Sequence, residues 1–243
     1  RAMRALDGVI IVVCAVEGIM PQTETVIRQA LKEKVKPVLF INKVDRLIAE
    51  LQVTPEDMMQ RFGKIITEVN KLISRMVPDE FKKDWMVDAQ AGTVAFGSAY
   101  HNWATSIPFM AKKNVNFKQI YDFMENEQRR ELAQAAPLHE VLLDMIVEKL
   151  PSANTAQKYR IPHIWRGEAE EEIGQSMVHA KPDGDSAFMV TKVVLDPHAG
   201  EIAVGRLFSG TIKKGDQMYV AGMPNANRVQ SVGMFVGGDR IAT

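Results

Sequence analysis

Lys36-Pro37-Val38-Leu39-Phe40-Ile41-Asn42-Lys43-Val44-Asp45 is the stretch on which the fold turns. Val38 to Ile41 is an unbroken apolar run that opens into a polar loop, the mark of a strand covered on both faces within a parallel sheet. Toward the N-terminus, Val9-Ile10-Ile11-Val12-Val13 is a second run of the same kind, apolar on both faces. Between them Pro21 leads a segment with Val26, Ile27, Ala30 and Leu31 on one side and Arg28, Lys32 and Glu33 on the other. That pattern predicts an amphipathic helix of about three turns, ended by Lys36-Pro37. Strand, helix, strand with short joints is a right-handed crossover unit, so the class at this end is α/β.

Outward from this unit, Thr54-Pro55-Glu56-Asp57 is a helix start, with Thr54 as N-cap, Pro55 at the first helical position and acids in the first turn. Met59, Phe62, Ile66, Val69, Ile73 and Met76 then predict one face of a long helix packed on the sheet. Gly92-Thr93-Val94-Ala95-Phe96-Gly97-Ser98 reads as a third strand entering a loop, and Leu138, Val141, Leu142, Met145 and Ile146 as a helix ending before Pro151. Residues 151–160 carry no period and read as a linker. Beyond them Phe188, Val190 and Lys192 alternate with Met189, Thr191 and Val193. Gly200, Gly205, Gly210, Gly215, Gly222, Gly233 and Gly237-Gly238 punctuate short β-rich runs, which suggests a barrel or sandwich. The expected organisation is α/β then all-β: an α/β domain over 1–152, a linker over 153–160 and a β-barrel over 161–243, the barrel incomplete.

Composition narrows the function classes. With 46% hydrophobic and 25% charged residues in 243, disordered and low-complexity readings are excluded. Thirty basic and thirty acidic residues cancel, so bulk charge draws the chain neither to nucleic acid nor to anionic membrane. One cysteine, Cys14, cannot close an intramolecular disulfide, which fits a reducing cytoplasm. The longest apolar run, Val9 to Val16, is eight residues, against roughly 20 needed to span a bilayer. Neither a signal peptide nor a membrane partner is expected.

The chemistry is expected at Asn42-Lys43-Val44-Asp45. In an open α/β sheet, ligands sit beyond the carboxyl ends of the strands, which is where this loop lies. Together the three residue types suit a guanine base. The carboxylate of Asp45 can accept from the ring imino N–H and the exocyclic amino group at once, whereas adenine presents a lone pair and no amino group there. Lys43 offers an aliphatic stem to lie over the purine face. The Asn42 amide can donate to the base and brace the loop. A solvated strand-to-helix turn also favours Asn and Asp, so position at the end of a buried strand is what gives the motif weight. Ser98-Ala99 follows the third strand, where small residues let backbone amides approach the guanine carbonyl. The expected guanine-binding set is therefore Asn42, Lys43, Asp45, Ser98 and Ala99, with no catalytic residue and no metal ligand in the chain.

Several other groups read as structural. His101, His139, His163, His179 and His198 lack metal-ligand spacing and are expected at the surface or as caps. Glu168 and Glu170-Glu171-Glu172 read as a solvated loop. Lys213-Lys214-Gly215-Asp216 reads as a β-turn, its lysines meeting phosphate only if the barrel sits on rRNA.

Asp7 to Val13, Val16-Glu17-Gly18, Gln22-Thr23-Glu24-Thr25-Val26 and Lys36 to Arg46 closely resemble the GTPase domain of the elongation factor 2 branch of the translational GTPases, in its archaeal form. Gly92 to Ser98 is similar to the same family's later loop. Gly205-Arg206-Leu207-Phe208-Ser209-Gly210, followed by Ile212 and Gly215, resembles the family's β-barrel second domain. The resemblance covers nearly the whole chain. It implies the C-terminal half of a P-loop GTPase-type sheet domain, GTP as ligand, Mg2+ held by residues outside this segment, and the ribosome with its tRNA–mRNA complex as partner. It implies GTP hydrolysis that drives translocation, in the cytoplasm. The departures are a missing Gly-Lys-Thr/Ser phosphate loop, first-switch threonine and Asp-x-x-Gly loop, all upstream of Arg1 in family order. Cys14 stands where many members carry Asp. The chain thus reads as an internal segment, inactive alone, of a GTP-hydrolysing translocation factor; the alternative is a non-catalytic ribosome- or RNA-binding relative.

Overall fold

The structure, a computed structural model, describes residues 2–113, 116–126, 128–197, 200–236 and 239–242. It divides into two units, Ala2–Ala156 and Gln157–Thr243. In the first, a 3-10 turn (Ala2–Ala5) precedes β1 (Gly8–Cys14), α1 (Pro21–Lys32), β2 (Lys36–Asn42), α2 (Val44–Ala49), α3 (Pro55–Met76) and α4 (Asp79–Trp85). β3 (Val94–Ser98), β4 (Trp103–Thr105), α5 (Ile107–Lys113), α6 (Phe117–Glu125), α7 (Arg129–Ala135) and α8 (Leu138–Lys149) follow. The strands form one sheet in the order β1-β2-β3-β4. β1, β2 and β3 are parallel, with Ile11 opposite Leu39 and Leu39 opposite Val94. β4 returns antiparallel to β3 and is absent from the sequence reading because three residues are too few to show a period. Gly97 admits it: a Cβ there would lie 2.3 Å from the Trp103 carbonyl oxygen and 2.7 Å from the Ala104 Cα.

The burial of each element corrects the expected faces. Val38 to Ile41 are all buried, as a central strand requires. β1 buries Ile11 and Val13 but leaves Val12 53% exposed, because it is the end strand of the described sheet. α1 turns Ile27, Ala30 and Leu31 inward and Val26 outward. α3 starts as expected, the Thr54 hydroxyl accepting from the Asp57 N–H and Pro55 opening the helix. Its buried face is Met58, Phe62, Ile65, Val69, Leu72 and Ile73, while Met59 is exposed and Ile66 and Met76 are half-buried. Phe62, common to the expected and the observed face, stacks on Phe96 of β3 at 4.7 Å between ring centroids. In α8, Val141 and Met145 are buried and Leu142 and Ile146 half-buried.

The expected linker at 153–160 is instead part of α9 (Ala153–Ile164). Its inward residues include Gln157 and Arg160, at 2% and 0% exposure, so the helix shows no apolar period by which the sequence could reveal it. The Gln157 Nε2 donates to the Phe208 carbonyl at 2.9 Å and to the Met177 carbonyl, and its Oε1 accepts from Arg206 at 2.9 Å. α10 (Glu172–Val178) follows, with Glu171 as N-cap and Glu172 in its first turn, so the acidic cluster lies partly at a helix N-terminus, where its charge is favourable. The β-rich part begins only at β5 (Ala187–Asp196), then β6 (Gly200–Ser209), β7 (Gln217–Tyr219), β8 (Ala226–Arg228), β9 (Gly233–Val236) and β10 (Asp239–Ala242). These pair as three antiparallel hairpins, β5–β6, β7–β8 and β9–β10. Ile161, Met177 and Phe208 form the core of this unit. His198 and Gly237-Gly238 lie outside the described residues.

Candidate guanine site

Asn42 closes β2 opposite Cys14 of β1, and its backbone carbonyl accepts from the Ala15 N–H at 2.8 Å. Its side-chain Oδ1 accepts two backbone N–H groups, from Lys43 at 2.8 Å and from Ala99 at 2.9 Å. One amide oxygen thus ties the loop after β2 to the loop after β3. Lys43 then takes a left-handed conformation (φ 64°, ψ 34°), which costs a non-glycine residue about 1–2 kcal/mol. This turn starts α2 at once and sets Asp45 in its first turn, while Val44, Leu47 and Ile48 bury the helix's inner face. Lys43 itself is exposed, with its stem free to cover a flat ligand.

Asp45 is 15% exposed at its side chain, and its two oxygens differ. Oδ1 is buried without a hydrogen-bond partner; such an oxygen costs about 1–3 kcal/mol until a donor reaches it. Oδ2 lies 3.7 Å from His101 Nε2. Neighbouring Arg46 does not supply the missing donor, since its Nε donates to Glu50 at 2.9 Å. That hydrogen bond, and then the Glu50 charge, raise the Arg46 guanidinium pKa.

Ser98 is buried at the end of β3, and its Oγ accepts from the His101 N–H at 3.3 Å. Ala99 is exposed, but its N–H is directed to Asn42, not outward as the base-carbonyl reading had it, because the Asn42 oxygen lies within hydrogen-bond reach. All five residues expected at the site are therefore gathered at the carboxyl ends of β2 and β3. His101, expected at the surface or as a cap, joins them at 17% side-chain exposure. Nothing in the sequence signalled this, because only the β3–β4 turn brings it across to α2. His139, His163 and His179 are exposed.

The remaining features do not compete with this site. A cleft of about 480 Å³ lies between Lys36, Asn70, Lys83, Asp84 and Thr93, at the amino ends of β2 and β3, the wrong end of a parallel sheet for a ligand. Cys14 is a free, half-buried thiol. Lys213 to Asp216 form the expected turn, with the Asp216 N–H donating to the Lys213 carbonyl and the Lys213 N–H to Asp216 Oδ2. Among the described residues no cluster of His, Cys, Asp or Glu is placed to hold a metal ion, and no helix is long and apolar enough to cross a membrane.

Residues 1–152 match the elongation factor Tu GTP binding domain, and residues 186–243 match elongation factor G domain 2. Over 241 residues, 99% of the chain, it is 60% identical to elongation factor 2 of Methanococcus vannielii and of Picrophilus torridus, and 56% identical to that of Methanocaldococcus jannaschii. In each case the match covers 33% of the relative, so the chain spans about a third of the length of these curated proteins.

Proposed function

Since the chain belongs to the elongation factor Tu GTP-binding domain family, we propose that it supplies the guanine-reading part of a ribosomal GTPase. On this reading the whole protein is a cytoplasmic elongation factor 2 whose GTP hydrolysis drives tRNA–mRNA movement on the ribosome during elongation. The observation that carries the base assignment is the Asp45 carboxylate: only 15% exposed, just beyond a strand's carboxyl end, with a buried oxygen that lacks a donor. Guanine offers two adjacent donors, its imino N–H and its exocyclic amino group, and a carboxylate accepts both. Asn42 holds the two loops in register so that the Asp45 oxygens and the Ser98-Ala99 turn face one ligand. The Lys43 stem covers one face of the purine and keeps water from these hydrogen bonds.

The phosphates are a separate matter. Phosphoryl transfer rests on positioning and on charge neutralisation by a phosphate loop, its lysine and Mg2+. Residues 1–243 contain no Gly-x-x-x-x-Gly-Lys-Ser/Thr motif, and no described cluster fits the metal. In this proposal the segment reads the base and does not by itself cleave the nucleotide.

The test is Asp45→Asn in the complete protein that carries this segment. The amide keeps the shape but turns one acceptor into an N–H donor aimed at guanine's own donor. A lost hydrogen bond to a charged group costs about 1.5–3 kcal/mol, and the opposed donor a similar amount, so GTP affinity should fall roughly a hundredfold or more. Xanthine carries a carbonyl where guanine carries its amino group, so the variant should prefer xanthosine triphosphate. Equal GTP affinity in variant and parent would make Asp45 a turn residue and end the guanine reading.

A further inference from the structure

We propose that His101 is a positioning residue that holds the base-reading carboxylate of Asp45 in the plane its ligand requires, an inference that rests on the guanine reading of Asp45. The carboxylate torsion of an aspartate is soft and roughly two-fold, so a short side chain does not fix the plane of its own oxygens. Two donors on the edge of a flat base demand that plane. The neighbour given to Asp45 is His101 Nε2, 3.7 Å from Oδ2, with both side chains more than four-fifths buried. At that distance the contact is a charge–dipole or charge–charge attraction, not a direct hydrogen bond. It favours an imidazole that carries its hydrogen on Nε2, since the other neutral tautomer would point a lone pair at the carboxylate.

The turn that carries the imidazole is itself held. The His101 backbone N–H donates to Ser98 Oγ at 3.3 Å, and the Tyr100 ring meets the imidazole edge-on at 4.9 Å between centroids. Asn102, in the left-handed region at φ 57°, returns the chain into β4 directly after it. Asp45 Oδ2 is therefore anchored from the β3–β4 turn while Oδ1 is left for a ligand. Selectivity for an exocyclic amino group, which needs both oxygens in register, is the property His101 should control.

The experiment measures GDP and inosine diphosphate affinity in the complete protein, parent against His101→Ala and His101→Gln. Inosine lacks the exocyclic amino group, so the ratio of the two affinities reads the second hydrogen bond. His101→Ala should weaken GDP about fivefold, the scale of a partly screened ion pair, with inosine diphosphate affected less, so the ratio contracts. His101→Gln, which offers an amide N–H, should restore it. Should His101→Ala unfold, His101→Phe keeps a ring against Tyr100 without a donor and carries the same comparison. An unchanged or widened ratio in the donor-free variant, or contraction that glutamine does not rescue, overturns the proposal. Asp45→Asn run in parallel separates the two failures. If it transfers preference to xanthosine diphosphate while His101→Ala leaves the ratio unchanged, the His101 inference alone falls. If Asp45→Asn changes nothing, the guanine reading falls and takes this one with it.

Discussion

At Asn42 one side-chain oxygen accepts the backbone N–H groups of its neighbour Lys43 and of Ala99, 57 positions further along the chain, less than 3 Å from each. Its bracing of the loops through Oδ1 and its proposed donation to a ligand through Nδ2 can be separated by substitution. Asn42→Ala removes both bonds and should cost about 2 kcal/mol of stability, at about 1 kcal/mol per net hydrogen bond. Asn42→Asp keeps an acceptor for both N–H groups and loses only the donor. The alanine variant should therefore melt lower, and the aspartate variant close to the parent, while both lose guanine nucleotide affinity. Thermal melts beside nucleotide titrations check this; an aspartate variant that melts as low as alanine would mean that Asn42 braces through Nδ2. At this scale the place of the candidate site was legible because strand, loop and residue types coincide locally at Asn42, Lys43 and Asp45. His101 was not legible, since its relation to Asp45 exists only once β3 and β4 have paired.

Among the elements, α3 and α9 mark the limits of reading periodicity. Apolar residues stand on α3 at both Met58 and Met59, and at both Ile65 and Ile66, so two helix faces share Phe62, Val69 and Ile73 and the sequence alone does not choose between them. Packing in the folded unit chooses: Met58, Ile65 and Leu72 are buried, while Met59 is exposed and Ile66 half-buried. α9 fails differently: it is held inward by a polar side chain rather than by an apolar stripe. Gln157 satisfies two carbonyls and one arginine N–H in a place 2% exposed, joining α9 to α10 and β6. Gln157→Leu nearly preserves volume but removes these three hydrogen bonds, each with a net contribution of about 1 kcal/mol. The variant should lower the stability of the Gln157–Thr243 unit by about 2–4 kcal/mol and leave Asn42 and Asp45 unaffected. Amide exchange read residue by residue is the check: accelerated exchange at Phe208 and Met177 with none at Val38–Ile41 is expected. Uniform protection in variant and parent would show that the amide contributes nothing net.

For the molecule as a whole, the sheet order and the surface predict how residues 1–243 behave when isolated. β1 is the end strand of the described sheet in the first unit, and Val12 stands 53% exposed on it. In the second unit the hairpins leave Leu195 77%, Tyr219 75% and Met234 59% exposed. A β-branched, apolar end strand with unpaired N–H and C=O groups is a template for pairing with another chain, and natural sheets blunt such edges with charge or cover. Neither unit does so at these positions. Isolated 1–243 should therefore self-associate as concentration rises, with an apparent mass on sizing above that of one chain. Val12→Lys places a charge on the open face of β1 and should reduce that association without lowering the melting temperature, because the side chain leaves no buried contact behind. Leu195→Lys tests the second unit in the same way, so the two substitutions assign the association to one unit or to both. A parent chain that stays monomeric across the concentration series, or association untouched by both lysines, would mean that these exposed faces are tolerated singly, as scattered apolar residues are on ordinary surfaces.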